Sequence, residues 1–119
     1  MPPPDDLTRL RHIIESARKA VHFSGQEKMP GFDKEELLNL ALVQLLEIIG
    51  EAARGISEGM REKYPKIAWR EMSAMSNRLR QAYFEIDNFV VWSTVTQELP
   101  PLIIQLEKIL KKEESKGRG

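Results

Sequence analysis

With 119 residues and a mass of 13.7 kDa, the chain is the size of one domain. It has no cysteine and only two histidines, both before residue 23. That excludes disulfides, thiolate metal sites and a cysteine nucleophile, and leaves too little for a histidine-rich zinc site. Eighteen lysines and arginines balance eighteen aspartates and glutamates, so binding to nucleic acid or a membrane would need a local patch rather than bulk charge. No apolar run reaches the ~18 residues of a membrane span. Met1-Pro2-Pro3-Pro4-Asp5-Asp6 is the opposite of a basic signal-peptide start, so a cytoplasmic location is expected.

Helical periodicity dominates the pattern and no strand signal stands out. Asp5 or Asp6 can cap a first helix whose stripe is Leu7, Leu10, Ile13, Ile14, Ala17 and Val21, running to about Phe23. Ser24 to Gly31 reads as a loop. Asp33 and Glu36 form a capping-box pattern. The helix after them is apolar nearly all round (Leu37, Leu38, Leu40, Ala41, Leu42, Val43, Leu45, Leu46, Ile48, Ile49), which predicts burial on several sides, most simply in a self-associating dimer, with a central helix wrapped by its own neighbours as the alternative. Gly50, Ala52 and Ala53 trim its end for close helix approach, and Tyr64-Pro65 ends any helix that continues past Gly59. Ile67 to Met72 reads as a short helix with Trp69 inward, and Asn77 to Phe84 as a further helical stretch. Asp87 or Asn88 can cap the last helix, which carries Phe89, Val90, Val91, Trp92 and Val95. Pro100 and Pro101 should kink or briefly interrupt it before it resumes at Leu102, Ile103, Leu106, Ile109 and Leu110. The expected architecture is an all-α, up-and-down bundle of about five helices, one domain over residues 1–110, with a flexible charged tail over 111–119.

Composition alone names no reaction. No Gly-rich phosphate loop, His-Glu-x-x-His helix or calcium-loop spacing is present. His12 and His22 read as solvated and end-capping residues of the first helix. Between Arg61 and Arg80, six basic residues (Arg61, Lys63, Lys66, Arg70, Arg78, Arg80) face two acidic ones, Glu62 and Glu71. Tyr64, Trp69 and Tyr83 lie within or beside that stretch, and cations among aromatics can hold a phosphate backbone and stack bases. A solvated face with structural aromatics is the alternative.

The run Ile48-Ile49-Gly50-Glu51-Ala52-Ala53, then Pro65-Lys66-Ile67-Ala68-Trp69-Arg70, resembles the HepT-like branch of the HEPN superfamily. So does Met75-Ser76-Asn77-Arg78-Leu79-Arg80-Gln81-Ala82-Tyr83-Phe84-Glu85-Ile86-Asp87, with Val91-Trp92 and Leu99-Pro100 after it. The resemblance spans about Asp6 to Leu110. It implies a homodimeric helical bundle, encoded beside a minimal, MntA-like nucleotidyltransferase as a toxin–antitoxin pair. The HepT-like member of such a pair is a metal-independent endoribonuclease, neutralised by AMPylation of a tyrosine, and the resemblance implies no cofactor or metal.

The family's site pattern is Arg, four to six residues, His, one residue, Tyr. Aligning Tyr83 with the motif tyrosine puts Ser76 at the arginine position and Gln81 at the histidine position, while Asn77 and Tyr83 are retained. Arg78, Arg80 and Arg70 are the candidate RNA-binding side chains, and Tyr83 the candidate AMP acceptor. Glutamine cannot exchange a proton near neutral pH, and loss of a general acid–base group costs about 10²–10⁴-fold in rate. If the helix were continuous, Ser76 and Tyr83 would share a face and Gln81 would be rotated from it. Glu51 is expected to be a structural partner near Gly50, with no catalytic role. Three readings are open: a ribonuclease of reduced activity, a silent protein that still dimerises and binds its nucleotidyltransferase, and a purely structural helical scaffold.

Overall fold

The computed structural model describes residues 5–25, 34–78, 80–82, 85–86 and 88–117. In chain order its elements are α1 (Asp6–Ser24), α2 (Lys34–Arg54), α3 (Glu58–Lys63), α4 (Trp69–Ser73), α5 (Met75–Arg78), β1 (Arg80–Ala82), β2 (Glu85–Ile86), α6 (Asn88–Ser93), a π-helical segment (Thr94–Glu98) and α7 (Leu99–Gly117). The all-α architecture stands. Three long helical units, α1, α2 and the run from α6 through α7, form the body, and three one- or two-turn helices fill the α2–α6 connection. The expected loop over 26–31, its cap at Asp33 and the alternative cap at Asp87 lie outside the described residues.

Asp5 caps α1 by accepting the Thr8 amide at 2.8 Å. From there, 3.6-residue periodicity puts Leu10, Ile13, Ile14, Ala17 and Ala20 on one buried stripe against α2, with α7 packed on α1 as well. On α2 the buried set is Leu42, Val43, Leu45, Leu46, Ile49, Ala52 and Ala53. Leu37, Leu40 and Ile48 are exposed, so the chain's own neighbours cover only part of this apolar helix. Gly55 follows α2, and the Arg9 guanidinium, the end of a flexible side chain, lies over it where a Cβ would otherwise stand.

The start of α1 is tied to the start of α3. Asp6 accepts the Ser57 amide at 2.8 Å on one carboxylate oxygen and the Ser57 hydroxyl at 2.6 Å on the other. Ser57 Oγ in turn accepts the Met60 amide at 3.2 Å as the α3 N-cap. Asp6→Ala should therefore destabilise the fold by about 1–2 kcal/mol, because it removes a charge-assisted pair and loosens a second cap. Thermal unfolding checks this, and an unchanged midpoint would refute the link.

Three expectations are corrected. The stretch from Asn77 to Phe84 is not one helix: α5 ends at Arg78, and β1 pairs antiparallel with β2, Arg80 opposite Ile86 and Ala82 opposite Glu85. A helix of two turns is marginal without packing, and the β-branched Ile86 favours extended backbone. That hairpin also overturns the expected absence of strands. Pro100 and Pro101 do interrupt the regular α-helix, as a π segment just before them, and the helix resumes as α7. They cannot donate to the carbonyls four residues earlier, Thr96 and Gln97, and the turn before them widens into the π segment. Thr94 and Thr96 reinforce the distortion by donating their hydroxyls to Val90 and Trp92 carbonyls, each at 2.7 Å. Finally, α7 continues beyond Lys111 to Gly117 where fraying was expected, because Glu113 and Glu114 make contacts to other helices.

Candidate functional site

The segment carrying the motif is positioned by the α3–α4 connection. Trp69 is 5 % exposed, and its indole Nε1 donates to the Tyr64 carbonyl at 2.9 Å, so the turn at Tyr64–Pro65 and the start of α4 are one unit. Ile67, Met72 and Met75 are buried beside it, which seats α4 and α5 on α2. The opposite face of this unit presents Arg70 and Asn77 to solvent.

Ser76, Asn77 and Arg78 lie on α5, Arg80 and Gln81 on β1, and Arg70 one helix earlier on α4. Tyr83 lies outside the described residues. The change from helix to strand between Arg78 and Arg80 means that Ser76 and Gln81 do not belong to one helix, so the helical phase argument for the motif does not apply. His12 and His22 are exposed on α1, which packs chiefly on α2, α7 and the π segment rather than on α5 or β1. Among the described residues no group of three or more His, Cys, Asp or Glu side chains could hold a metal ion, and no helix is long and apolar enough to cross a membrane.

The basic stretch is smaller than its sequence count. Arg61 turns inward: Nη2 donates to the Ala53 carbonyl at 2.7 Å and to Ser73 Oγ at 3.1 Å, and Nε to the Ile56 carbonyl at 3.3 Å. It closes the C-terminal end of α2 and ties it to α4. Lys63 donates to Glu113 at 3.0 Å, and Tyr64 Oη donates to the same carboxylate at 2.5 Å. Lys63 and Lys112 lie 5.9 and 5.8 Å from the Tyr64 ring centre. Lys63 is exposed but engaged by Glu113, and Lys66 and Arg70 are the other exposed cations of the stretch with described side chains, along a shallow groove of about 650 Å³. Glu51 forms a surface pair with Arg54 at 2.9 Å. Nothing in the local sequence signals that Arg61 and Lys63 are spoken for, because their partners are 5 to 50 residues away.

The hydroxyl of Tyr64, and then the Lys63 ammonium, hold the Glu113 carboxyl below the usual carboxylate range. Burial first, and then the bond and charge of Glu113, push the Tyr64 hydroxyl upward. A depressed native value means that Glu113 contributes stability above the ordinary carboxylate range, which is lost as pH falls through the native value. Unfolding midpoints of the unaltered chain and Glu113→Gln should be separated at about pH 7 and converge as the pH falls below the depressed native value of Glu113. Urea titrations at the two pH values measure this, and an equal gap at both would contradict it.

The family model for "Ribonuclease HepT-like" proteins matches residues 13–109. A Methanocaldococcus jannaschii protein provisionally designated an RNase is 34% identical over 119 residues, covering 100% of this chain and 98% of its own length. A Caldanaerobacter subterraneus protein with the same provisional designation is 34% identical over 104 residues, 87% of this chain and 93% of that one. The Thermococcus cleftensis protein designated "Probable ribonuclease HepT" is 34% identical over 102 residues, 86% of this chain and 93% of its own. No solved structure matches.

Proposed function

Because the chain belongs to the ribonuclease HepT-like family, we propose that it is the HepT-like component of a toxin–antitoxin module whose RNA-cleaving chemistry is reduced or lost. In this reading dimerisation and binding of a minimal nucleotidyltransferase persist. The observation that carries it is the pair Ser76 and Gln81 at the motif's arginine and histidine positions, in a chain whose two histidines both sit on α1. Attack by the RNA 2′-hydroxyl needs a group that takes a proton and gives one back near neutral pH, which imidazole does and a carboxamide does not. It also needs a cation on the scissile phosphate to meet the charge that builds there, and serine supplies none.

The remaining residues of the site are suited to binding. Asn77 and Arg70 face solvent beside the motif, and Arg78 and Arg80 lie within it. Leu37, Leu40 and Ile48 on α2 are exposed, and so are Phe89 and Trp92, at 79 % and 43 %, on α6, which packs on α2. Apolar side chains of that size left to solvent favour a second copy over water, which supports the homodimer. Tyr83, retained in the motif, is the AMP acceptor in this reading.

Three measurements on the purified chain test the proposal. Sedimentation should give a dimer. Metal-free incubation with RNA should give little or no cleavage relative to an intact-motif relative. Incubation with the nucleotidyltransferase and ATP should add one AMP, absent in Tyr83→Phe. A folded monomer that takes no AMP, or cleavage as fast as that relative, would overturn it.

A further inference from the structure

The motif segment is joined to the end of α2 by a continuous run of hydrogen bonds. The Arg61 guanidinium, on α3, is fixed by the Ala53 carbonyl at 2.7 Å and by the Ile56 carbonyl at 3.3 Å. Its Nη2 also donates to Ser73 Oγ at 3.1 Å, and that hydroxyl donates in turn to the Trp69 carbonyl at 2.8 Å. Ser73 is the last residue of α4, and only Ala74 separates it from α5. Across this junction the Ala74 amide bonds to the Arg70 carbonyl and the Asn77 amide to the Ala74 carbonyl, each at 3.0 Å. The Arg61–Ser73 bond therefore meets the chain just before Ser76 and Asn77.

We infer that Ser73 is a positioning residue for the motif: its bond to Arg61 fixes the α4–α5 junction and so the direction in which α5 presents Asn77. Helices of five and four residues do not sustain themselves in water, so contacts from elsewhere place α4 and α5. Buried Met72 and Met75 hold the apolar side of the junction. Apolar burial is non-directional and sets no rotation about itself, whereas a bond from a planar guanidinium does. The Ser73 hydroxyl has one proton, committed to Trp69, and a lone pair that accepts from Arg61. Truncating it frees the junction and leaves Arg61 on its two carbonyls, so the end of α2 stays closed. A misplacement of about 1 Å at a reacting group is enough to cost about 10²-fold in rate. The reaction that Ser73 serves rests on the function proposed above. The order of the junction does not depend on that reaction, so the two are measured separately.

The test compares the unaltered chain with Ser73→Ala and with Ser73→Thr, which keeps the hydroxyl. Hydrogen exchange of the ¹⁵N-labelled chains should be about tenfold faster at Ala74 and Asn77 in Ser73→Ala, with Leu46 and Ile49 on α2 unchanged. The thermal midpoint should be nearly retained, since the higher helix propensity of alanine offsets part of the lost bond. Ser73→Thr should exchange like the unaltered chain. In a chain carrying Ser76→Arg and Gln81→His, Ser73→Ala should lower kcat for RNA cleavage about tenfold and leave KM nearly unchanged. Local loosening supports the positioning role even where that double variant is inert, an outcome that counts against the proposed chemistry alone. Unchanged exchange at Ala74 and Asn77, or the same acceleration in Ser73→Thr, would overturn the role. So would faster exchange throughout α2 with a matching fall in midpoint, or an active double variant whose kcat is indifferent to Ser73→Ala.

Discussion

Restoring arginine at Ser76 and histidine at Gln81 together should raise metal-free RNA cleavage by about 10²-fold or more over the unaltered chain. Histidine supplies the proton transfers that the Gln81 carboxamide cannot, and arginine supplies a forked cation for the phosphate. The gain should be strongly non-additive, since a phosphate clamp without an acid–base group, or the reverse, leaves the same step blocked. Cleavage by the double variant should titrate around the imidazole range of about pH 6–7 and withstand EDTA, which separates it from metal-dependent contaminants. Asn77→Ala or Tyr83→Phe in that background should lower it again. A folded, dimeric double variant with no activity would mean that the surrounding cleft, and not just the two motif residues, has lost its chemistry.

Arg61→Ala should cost about 2–3 kcal/mol of stability, several-fold more than Lys66→Ala or Arg70→Ala, each of which should stay within about 0.5 kcal/mol. Removing the Arg61 guanidinium strips the donors from two carbonyls at the end of α2 and from Ser73, in surroundings that are only partly solvated. Arg61→Lys keeps the charge but not the planar fork, and should recover only part of the loss. Urea denaturation measures the difference. RNA binding should show the reverse ranking: Lys66→Ala and Arg70→Ala should each reduce the salt dependence of affinity by about one unit of slope, if those side chains contact phosphates. A stable Arg61→Ala with weakened RNA binding would return Arg61 to the basic surface and contradict its role as a helix-end clamp.

The Glu113 cluster shows the same division between charge counted along the chain and charge available to a ligand. Lys63 is adjacent in sequence to the candidate patch, yet it shares the Glu113 carboxylate with Tyr64 and with Lys116, the latter at 3.6 Å. Single pairs of this kind are worth little when exposed. Here the carboxylate side chain is 12% exposed, and two of its partners come from the α3 region, so the cluster anchors the end of α7 there.

Some of this protein was legible in its residues alone because the causes are local. A cap at Asp5 needs only the amide three residues on, the stripe from Leu10 to Ala20 follows from the helical repeat, and Trp69 turns inward because a large apolar ring precedes Met72 at helical spacing. The motif departures at Ser76 and Gln81 are likewise facts of residue type, independent of the fold. The tertiary structure decided everything set by distant partners. Arg61 leaves the candidate RNA surface because the carbonyls of α2 need donors, and α5 stops at Arg78 because an isolated two-turn helix does not sustain itself once a hairpin can form. Two prolines widen a helix rather than end it because packing on α1 and α2 holds that helix in place while its hydrogen bonds shift register. Long-range contacts bring together residues whose sequence separation hides them, and local pattern carries no record of that.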